Sequence, residues 1–401
     1  MSADSRLKYI HTYTDVAVAT PTYPNARIIC SETTNANHNP YNETIMSMPS
    51  VMTEEGPSIQ LKERTIGKRA DGSYFFFIFN FENYYHFLYD TLPYLHHYFE
   101  LRAKDLSCVL LLPAAHTWLQ FQRECFRLLG IQETDIAYAE EGVTYETLYI
   151  PSSLTHGTTP IVLSSASNMP PSPEAYNIWN RLSKNSPPTA SPKKIYISRR
   201  THLLADTTNV GTNYTTRRRC LNEDALVELL KQHGYVEVFC ESMSMSEKIS
   251  MFRSATHVAG FIGGGMANLL FSPPTTKTLC IITPYFLDIN TRFKYSMDHT
   301  DIHYADCTTL ATHAGPYPLY SRVRINHPGT PHHGAIGEID SWVDDYDKYI
   351  VKVPKQRVAG FSLTNVYDHI FYSADFLEPL DKGLNSPFIC TIDGLNPFLN
   401  N

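Results

Sequence analysis

The amino-acid sequence predicts an α/β protein with two patterned halves. The chain has 401 residues, which is more than one ordinary hydrophobic core holds and suits two domains. Residues 185–192 are rich in proline and serine, which is typical of a linker between domains. After this stretch, short apolar segments alternate with segments of helical spacing. Such alternation predicts right-handed βαβ units and a parallel sheet.

In the first half, strands and helices are both expected. Uninterrupted apolar runs predict strands at 74–79, 108–112 and 147–150. Apolar residues at helical spacing predict helices at 84–101 and 118–129. Gly130 follows the second of these and is typical of the position just after a helix C-terminus. The first half is therefore predicted to be mixed α/β.

In the second half, the predicted elements follow one another more regularly. Apolar runs predict strands at 194–198, 236–240, 258–262 and 278–282. Helical spacing predicts helices at 222–234, 244–254 and 266–271. Asn222 and Ser244 are typical N-cap residues, and Glu223 and Glu247 place acids in the first turns that follow. This order predicts a Rossmann-like domain, whose ligands bind at the carboxyl ends of the strands.

These patterns predict four segments. We expect an N-terminal α/β domain at 1–184, a linker at 185–193, a Rossmann-like domain at 194–316 and a tail at 317–401. The tail shows little regular pattern, and we expect it to pack back on the first domain.

Composition restricts the class of protein. The net charge is −7, from 33 basic and 40 acidic residues, which argues against a nucleic-acid partner. No run of about 20 apolar residues occurs, and the N-terminus lacks the apolar segment of a signal peptide. The eight cysteines include no CxxC pair, and several lie in apolar runs, which favours free thiols over disulfides. We therefore expect a cytoplasmic protein without a transmembrane segment.

A glycine-rich turn at 260–268 is the strongest local motif. Gly263, Gly264 and Gly265 follow a buried strand, and Met266, Ala267 and Asn268 open the next helix. Adjacent glycines let the backbone approach a bulky ligand, and the free N–H groups of a helix start favour a diphosphate. The pattern is not GxGxxG, so it does not specify a dinucleotide. A tight turn that needs φ > 0 is the alternative interpretation.

Two groups of arginines lie in loops at the same predicted edge. Arg199 and Arg200 end the strand after the linker, and 217–219 is an arginine triplet before the helix at 222–234. Arginine matches phosphate oxygens with paired hydrogen bonds, although such runs also occur on solvated surfaces. Their placement beside the glycine turn favours binding of an anionic ligand.

A polar motif in the first half begins at Asn83. His86 and Asp90 are four residues apart, so on a helix they share a face and can interact. Either one could take a proton from a hydroxyl group. A surface pair, with Tyr85 packed inward, is the alternative interpretation.

A possible metal motif occurs near the end of the chain. Asp345 and Asp347 form a DxD pattern that can hold a divalent cation and a sugar diphosphate. The motif lies in a charged segment, away from any βαβ turn. We therefore predict no metal site and no cofactor.

Together these motifs resemble glycosyltransferase family 61, which includes plant β-1,2-xylosyltransferases and O-linked N-acetylglucosaminyltransferases. The resemblance covers residues 74–306, and the order and spacing of four motifs carry it. The residues similar to the family's motifs are Asn83, His86, Asp90, Leu92 and Pro93, then Ser198 and Arg199, then Arg218 with Asn222 and Glu223, and finally Ile262 to Asn268. Two positions depart from the family pattern. Ile262 replaces a histidine of the glycine turn, and Ile281 stands where a glutamate that could hold the nucleotide ribose is common.

The resemblance implies a GT-B architecture, with two Rossmann-like domains facing across a cleft. It implies inverting, metal-independent transfer from a UDP-sugar, with xylose or N-acetylglucosamine as the sugar and a glycan or glycoprotein as the acceptor. Arg199, Arg218 and residues 263–268 would bind the donor, and Asn83 and Tyr85 would lie on the acceptor side. His86 or Asp90 would be the base, with the other orienting it. A chain without an anchor is expected to be a microbial or viral enzyme.

Two other hypotheses remain open. The departures at Ile262 and Ile281 are compatible with a degenerate transferase that only binds nucleotide sugar or glycan. Alternatively, Asp345 and Asp347 are compatible with a metal-dependent transferase.

Overall fold

The computed structural model describes thirteen segments of the chain. These are residues 10–19, 27–29, 68–78, 83–113, 118–155, 170–200, 218–284, 291–311, 317, 320–343, 346–354, 367–380 and 386–399. All structural statements below concern these residues.

A mixed six-stranded sheet forms the first half. Its strands are β1 (Ile10–Ala19), β2 (Arg27–Ile29), β3 (Arg69–Phe76), β4 (Val109–Leu112), β5 (Ile136–Tyr138) and β6 (Thr144–Pro151). Their order is β2-β1-β6-β3-β4-β5. The pairs β6–β3, β3–β4 and β4–β5 are parallel, and β1 pairs with β2 and β6 in the antiparallel sense. The three predicted strands correspond to β3, β4 and β6.

The helices of the first half pack beside this sheet. They are α1 (Tyr84–His86), α2 (Leu95–Arg102), α3 (Gln120–Leu129) and α4 (Pro173–Asn185). A π-helical turn at Phe87–Thr91 and a 3-10 turn at Leu92–Tyr94 join α1 to α2. The predicted helix at 84–101 is thus present but irregular, because Pro93 has no N–H group to donate within it. Gly130 ends α3 with φ +79°, as predicted.

A parallel five-stranded sheet forms the second half. Its strands are β7 (Lys194–Ile197), β8 (Val236–Val238), β9 (His257–Phe261), β10 (Lys277–Ile281) and β11 (Asp301–Ala305), in the order β11-β10-β9-β7-β8. The connecting helices are α5 (Glu223–Gln232), α6 (Met245–Ser254) and a 3-10 helix (Gly264–Phe271). Because β8 and β9 lie on opposite sides of β7, the winding reverses there. A crevice at such a reversal, at the carboxyl ends of the strands, is the usual ligand site of an open α/β sheet.

The tail contains more regular structure than the sequence analysis predicted. Strands β13 (Arg322–Ile325), β14 (Ile336–Val343), β15 (Lys348–Pro354), β16 (Tyr367–Tyr372) and β17 (Leu377–Pro379) form an antiparallel sheet. The weak sequence pattern did not point to these strands, although alternate side chains of β15 face a core. Tyr349, Val351 and Val353 are buried, and Lys352 between them is more exposed.

The end of the described chain packs on the second half. Strand β18 (Phe388–Cys390) pairs with β12 (Thr308–Leu310), and the 3-10 turn Ile392–Leu395 and helix α7 (Asn396–Leu399) follow. Phe388 and Leu395 share a buried cluster with Leu226 of α5. For residues 386–399, these contacts are therefore with the second half, where they help to bury the apolar side chains of α5.

The largest hydrophobic cluster includes residues of both halves. Tyr85 and Phe121 from the first half belong to the same cluster as Ile197 and Met266 from the second. A side-chain oxygen of Glu124 on α3 also accepts a hydrogen bond from the backbone amide of Met245 at the start of α6. The α/β class is confirmed, and the two halves share buried surface at this junction.

Two further predictions concern cysteines and membranes. Seven cysteines fall within the described segments, and all are free thiols, as predicted. The Sγ atoms of Cys307 and Cys390 lie 3.6 Å apart. Within the segments given above, no helix combines the length and the apolar character needed to cross a membrane.

Candidate functional site

The end of strand β7 is held by a buried carboxylate. The Oε1 atom of Glu223 accepts hydrogen bonds from the Tyr196 hydroxyl at 2.8 Å and from the Arg199 backbone amide at 2.7 Å. The Ser198 hydroxyl also donates to it, at 3.3 Å. Glu223 is only 3% exposed. The sequence indicated an acid that complements the dipole of α5, whereas the structure shows a residue that fixes the backbone from which Arg199 projects.

The glycine turn lies directly against the end of β7. Gly263 has φ +156° and ψ −171°, a conformation that is essentially restricted to glycine. A Cβ atom on Gly263 would lie 3.2 Å from Nη1 of Arg199, and one on Gly265 would lie 2.8 Å from Cγ2 of Ile197. A Cβ atom on Gly264 would meet no atom within 4 Å. The turn therefore needs its outer two glycines for close packing, and its middle residue faces open space.

Arg199 is thus brought together with the glycine turn, as predicted. Burial lowers the pKa of its guanidinium, and the nearby carboxylates Glu223 and Glu241 oppose this effect. Since the pKa of arginine is ordinarily far above neutral pH, the group stays cationic. A cation beside open backbone at the carboxyl edge of a parallel sheet is suited to an anionic ligand.

The second arginine group lies at the start of α5. Arg218 is half-buried and has φ +56°, a left-handed backbone conformation that is uncommon outside glycine. A small open pocket lies at the start of α5 and is lined by Arg199, Arg200, Arg219, Cys220, Leu221, Glu223 and Asp224. Arg217 lies outside the described residues. The sequence analysis selected Arg218 from the triplet, whereas Arg219 is the member that lines this pocket together with Arg199.

Arg200 is already engaged by two acids. Its guanidinium hydrogen-bonds Glu237 at 2.6 and 2.9 Å and Asp224 at 2.5 Å. These bonds raise its pKa above the usual value. The guanidinium of Arg200 is therefore occupied by these two carboxylates.

The predicted His–Asp pair forms in the first half. Nδ1 of His86 lies 2.5 Å from Oδ2 of Asp90, across one turn of the helix. The side chain of Asp90 is 2% exposed, whereas that of His86 is 22% exposed. Asn83 begins the helix, and its side chain accepts a hydrogen bond from the His86 amide at 3.2 Å. A buried carboxylate that orients a more accessible imidazole is an arrangement typical of a general base.

A hydrogen-bonded bridge joins this helix to the glycine turn. The Tyr84 hydroxyl donates to Oδ1 of Asn268 at 2.6 Å, and Nδ2 of Asn268 donates to the Gly265 carbonyl at 2.9 Å. Asn268 is fully buried. The bridge places the helix of His86 and the turn beside Arg199 in one connected arrangement. The sequence analysis missed Tyr84, because tyrosine at a helix start carries no local signal for a partner 184 residues away.

Four other predicted site residues are mainly structural in their described contacts. The side chains of Met266 and Ala267 are buried, and Met266 packs against Gly260. The side chain of Asn268 is used by the bridge described above. Tyr85 is 2% exposed and stacks on Phe293 with 3.7 Å between ring centroids. Any donor contact at 266–268 would therefore come from the backbone, and Tyr85 corresponds to the inward-packed alternative.

The segment that contains these residues matches a known protein family. Residues 84–279 match the family model described as Glycosyltransferase 61. The predicted family is confirmed. The matched segment begins at Tyr84 and contains the His86–Asp90 pair, Arg199, Arg218 and the glycine turn. No curated protein matches the chain.

The match to family 61 implies glycosyltransferase activity, with a sugar donor and an acceptor. The two departures from the family pattern lie next to each other in the structure. The Ile262 amide donates to the Ile281 carbonyl at 2.9 Å, and both side chains are fully buried. Each isoleucine side chain therefore lies in the core beside this sheet, and neither supplies a polar group to the site.

The DxD motif is only partly visible. Asp345 lies outside the described residues, and Asp347 is exposed with φ +50°. In the segments that the structure covers, no group of three or more histidine, cysteine or acidic side chains is arranged to hold a metal ion.

Proposed function

We propose that the protein is an inverting, metal-independent glycosyltransferase that moves a sugar from a UDP-sugar to a hydroxyl group of a glycan or glycoprotein. The observation that supports this most directly is the Tyr84–Asn268–Gly265 bridge. It connects a candidate base to a candidate diphosphate site. The halves at 1–184 and 194–316 would then act as the two domains of a GT-B enzyme, with the acceptor on the side of Asn83 and Tyr85.

On the donor side, the proposed ligand is the diphosphate. Arg199 and Arg218 would supply positive charge, and the backbone N–H groups of 263–268 would point at the phosphate oxygens. Stabilising the departing UDP is the main electrostatic demand of the reaction, and fixed cations can meet it without a metal ion. The open space in front of Gly264 provides room for this ligand.

On the acceptor side, we propose His86 as the base and Asp90 as the residue that orients it. The exposures support this order, because Asp90 is the buried member of the pair. If Nδ1 donates to Asp90, Nε2 is the nitrogen that can accept a proton. The acceptor oxygen would lose its proton to His86 and attack the anomeric carbon opposite the diphosphate, which inverts that centre.

The proposal is tested by turnover with a panel of nucleotide sugars that includes UDP-xylose and UDP-N-acetylglucosamine. We expect UDP release that a chelator does not reduce. Asp90→Asn and His86→Ala should lower turnover and leave UDP affinity near that of the wild type. Arg199→Ala should instead weaken UDP binding by about 1.5–3 kcal/mol, the usual contribution of a charged hydrogen bond. A folded protein without turnover on any nucleotide sugar would contradict the proposal.

A binding module is the second candidate, and the buried Ile262–Ile281 pair is the observation that favours it. Such a protein would bind UDP and gain thermal stability from it by mass action, but it would not release UDP from a sugar donor. The same panel, read by thermal shift and by turnover, separates the two candidates. Loss of activity on chelation would favour a metal-dependent enzyme instead. A cytoplasmic location is part of the proposal, and fractionation of the producing cells would test it.

A further inference from the structure

Two charged side chains near the site have no role in the proposal above. Glu241 belongs to the 3-10 turn Cys240–Ser242, just after β8, and Lys248 lies on α6. Strand β8 is the neighbour of β7, whose end carries Arg199. Glu241 therefore lies at the same carboxyl edge as Arg199 and the glycine turn.

Lys248 is a buried cation. Its side chain is 2% exposed, and its ammonium group lies 4.6 Å from the centroid of the Tyr84 ring. Glu241 and Glu124 act on it through space, and neither forms a direct ion pair with it in the described part of the chain. An ammonium group carries three donors, so Lys248 can donate a hydrogen bond to a ligand at this position.

Glu241 is the complementary group. Its Oε2 atom is buried and has no hydrogen-bond partner within the described segments. Its carboxylate also accepts a bond from its own backbone amide, and Lys248 and Arg199 favour its charged form. The site thus contains a buried ammonium group near a carboxylate oxygen that has no donor within the described segments.

A single ligand group that both donates and accepts a hydrogen bond could bind the Glu241 carboxylate and the Lys248 ammonium together. We infer that Glu241 and Lys248 bind a sugar-ring hydroxyl of the donor, which donates to the Glu241 carboxylate and accepts from the Lys248 ammonium. This inference rests on the proposed function. The hydroxyl belongs either to the nucleotide ribose or to the transferred sugar, because both are polyols attached to the diphosphate.

The topology supports this assignment. In βαβ nucleotide sites, an acidic residue at the end of the second strand commonly binds a ribose hydroxyl. Strand β8 is the second strand of the unit that starts at β7, and Glu241 follows it. At the end of β10, Ile281 offers no side-chain acceptor. The carboxylate at β8 is thus placed to recognise a hydroxyl of a donor whose diphosphate lies at Arg199.

Calorimetry with five ligands tests the inference: UDP, 2′-deoxy-UDP, 3′-deoxy-UDP, UDP-xylose and UDP-N-acetylglucosamine. If the hydroxyl is on the ribose, one deoxy analogue should bind the wild type about tenfold or more weakly than UDP. If it is on the transferred sugar, a UDP-sugar should bind about tenfold more tightly than UDP. In Glu241→Gln, whichever affinity difference the wild type shows should fall below about threefold. Glu228 is an exposed residue on α5, and Glu228→Gln should keep the wild-type difference.

Two results would overturn the inference. One is a wild type that binds UDP but discriminates among none of the five ligands. The other is a folded Glu241→Gln protein that discriminates as the wild type does. If Glu241→Gln does not fold, the charge-balanced Glu241→Gln/Lys248→Gln variant takes its place. The comparison of the five ligands on the wild type needs no variant. A wild type that binds none of the five nucleotides would refute the proposed function itself.

Discussion

The bridge between the two halves can be tested by removing a single oxygen atom. In Tyr84→Phe, the ring keeps its edge contact with Phe121 at 5.1 Å and its place under the Lys248 ammonium. The hydroxyl that donates to Asn268 at 2.6 Å is lost. Asn268 is fully buried, and its Nδ2 is engaged by the Gly265 carbonyl, so the amide cannot turn to find another donor without losing that bond. Its Oδ1 atom is therefore left without its donor.

The size of the effect follows from this burial. An acceptor left unsatisfied in a protein interior costs about 1–3 kcal/mol, and we expect the free energy of unfolding to fall by that amount. Urea denaturation measures it. Tyr176→Phe is the matched control, because Tyr176 is a partly buried tyrosine in ring contact with Trp179, and its hydroxyl makes no hydrogen bond with the described residues. We expect the control to change stability by less than about 0.5 kcal/mol.

A double-mutant cycle separates the bond from other effects. Tyr84→Phe and Asn268→Ala should be coupled by about 0.5–3 kcal/mol, as expected for residues in one hydrogen-bond network. If the bridge also aligns the base with the donor, Tyr84→Phe should lower turnover and leave UDP affinity nearly unchanged. A Tyr84→Phe protein as stable as the wild type, with no coupling to Asn268, would refute the reasoning.

Three further predictions concern stability and ligand binding. Glu223→Ala leaves the Tyr196 hydroxyl and the Arg199 amide without their acceptor and should lower the unfolding free energy by roughly 2–4 kcal/mol. Asp224→Ala removes only an exposed ion pair and should cost less than about 1 kcal/mol in the same urea experiment. Gly265→Ala places a Cβ atom 2.8 Å from Cγ2 of Ile197 on β7 and should destabilise the protein by about 1–3 kcal/mol. Gly264→Ala should keep wild-type stability but weaken UDP binding in calorimetry, because its Cβ would enter the open space proposed for the ligand. Equal stability of the two variants would contradict this difference in packing. Burial lowers the pKa of His97 to about 4 from 6.5, so the unfolded state binds its proton first as the pH falls. This contribution to stability is fully present above pH 6.5 and is lost between about pH 6.5 and 4, and His97→Gln should flatten the urea-measured pH dependence in that window.

Where the outcome depended on neighbours along the chain, sequence reasoning succeeded. The spacing of His86 and Asp90 predicted a pair on one helical face, and the two side chains do meet. Gly130 was predicted to end a helix, and it does so with a positive φ. The alternation after residue 193 predicted the parallel sheet, and that order placed Arg199 and the glycine turn at one edge. Each of these follows from backbone geometry within one turn or one βαβ unit.

Burial and partners across long separations were not predictable in the same way. Glu223 looked like an ordinary first-turn acid, but folding buries it under three donors at the end of β7. Lys248 carries no sequence signal of burial, but the first half covers it with Tyr84. The sequence analysis did not predict the strands of the tail. Which face of each strand is buried depends on its partner strands, and these are known only from the structure.

The sequence by itself determined the α/β class, the family and the positions of the charged and glycine-rich motifs, since these depend on local periodicity and residue type. Only the tertiary structure decided which of those motifs meet. Tyr84 reaches Asn268, Arg199 lies beside Gly263 and Arg200 pairs with Glu237, because packing of the two halves fixes which polar groups meet inside the protein. A hydrogen bond between residues far apart in the chain has no local signature, and its energy arises only when folding removes both groups from water.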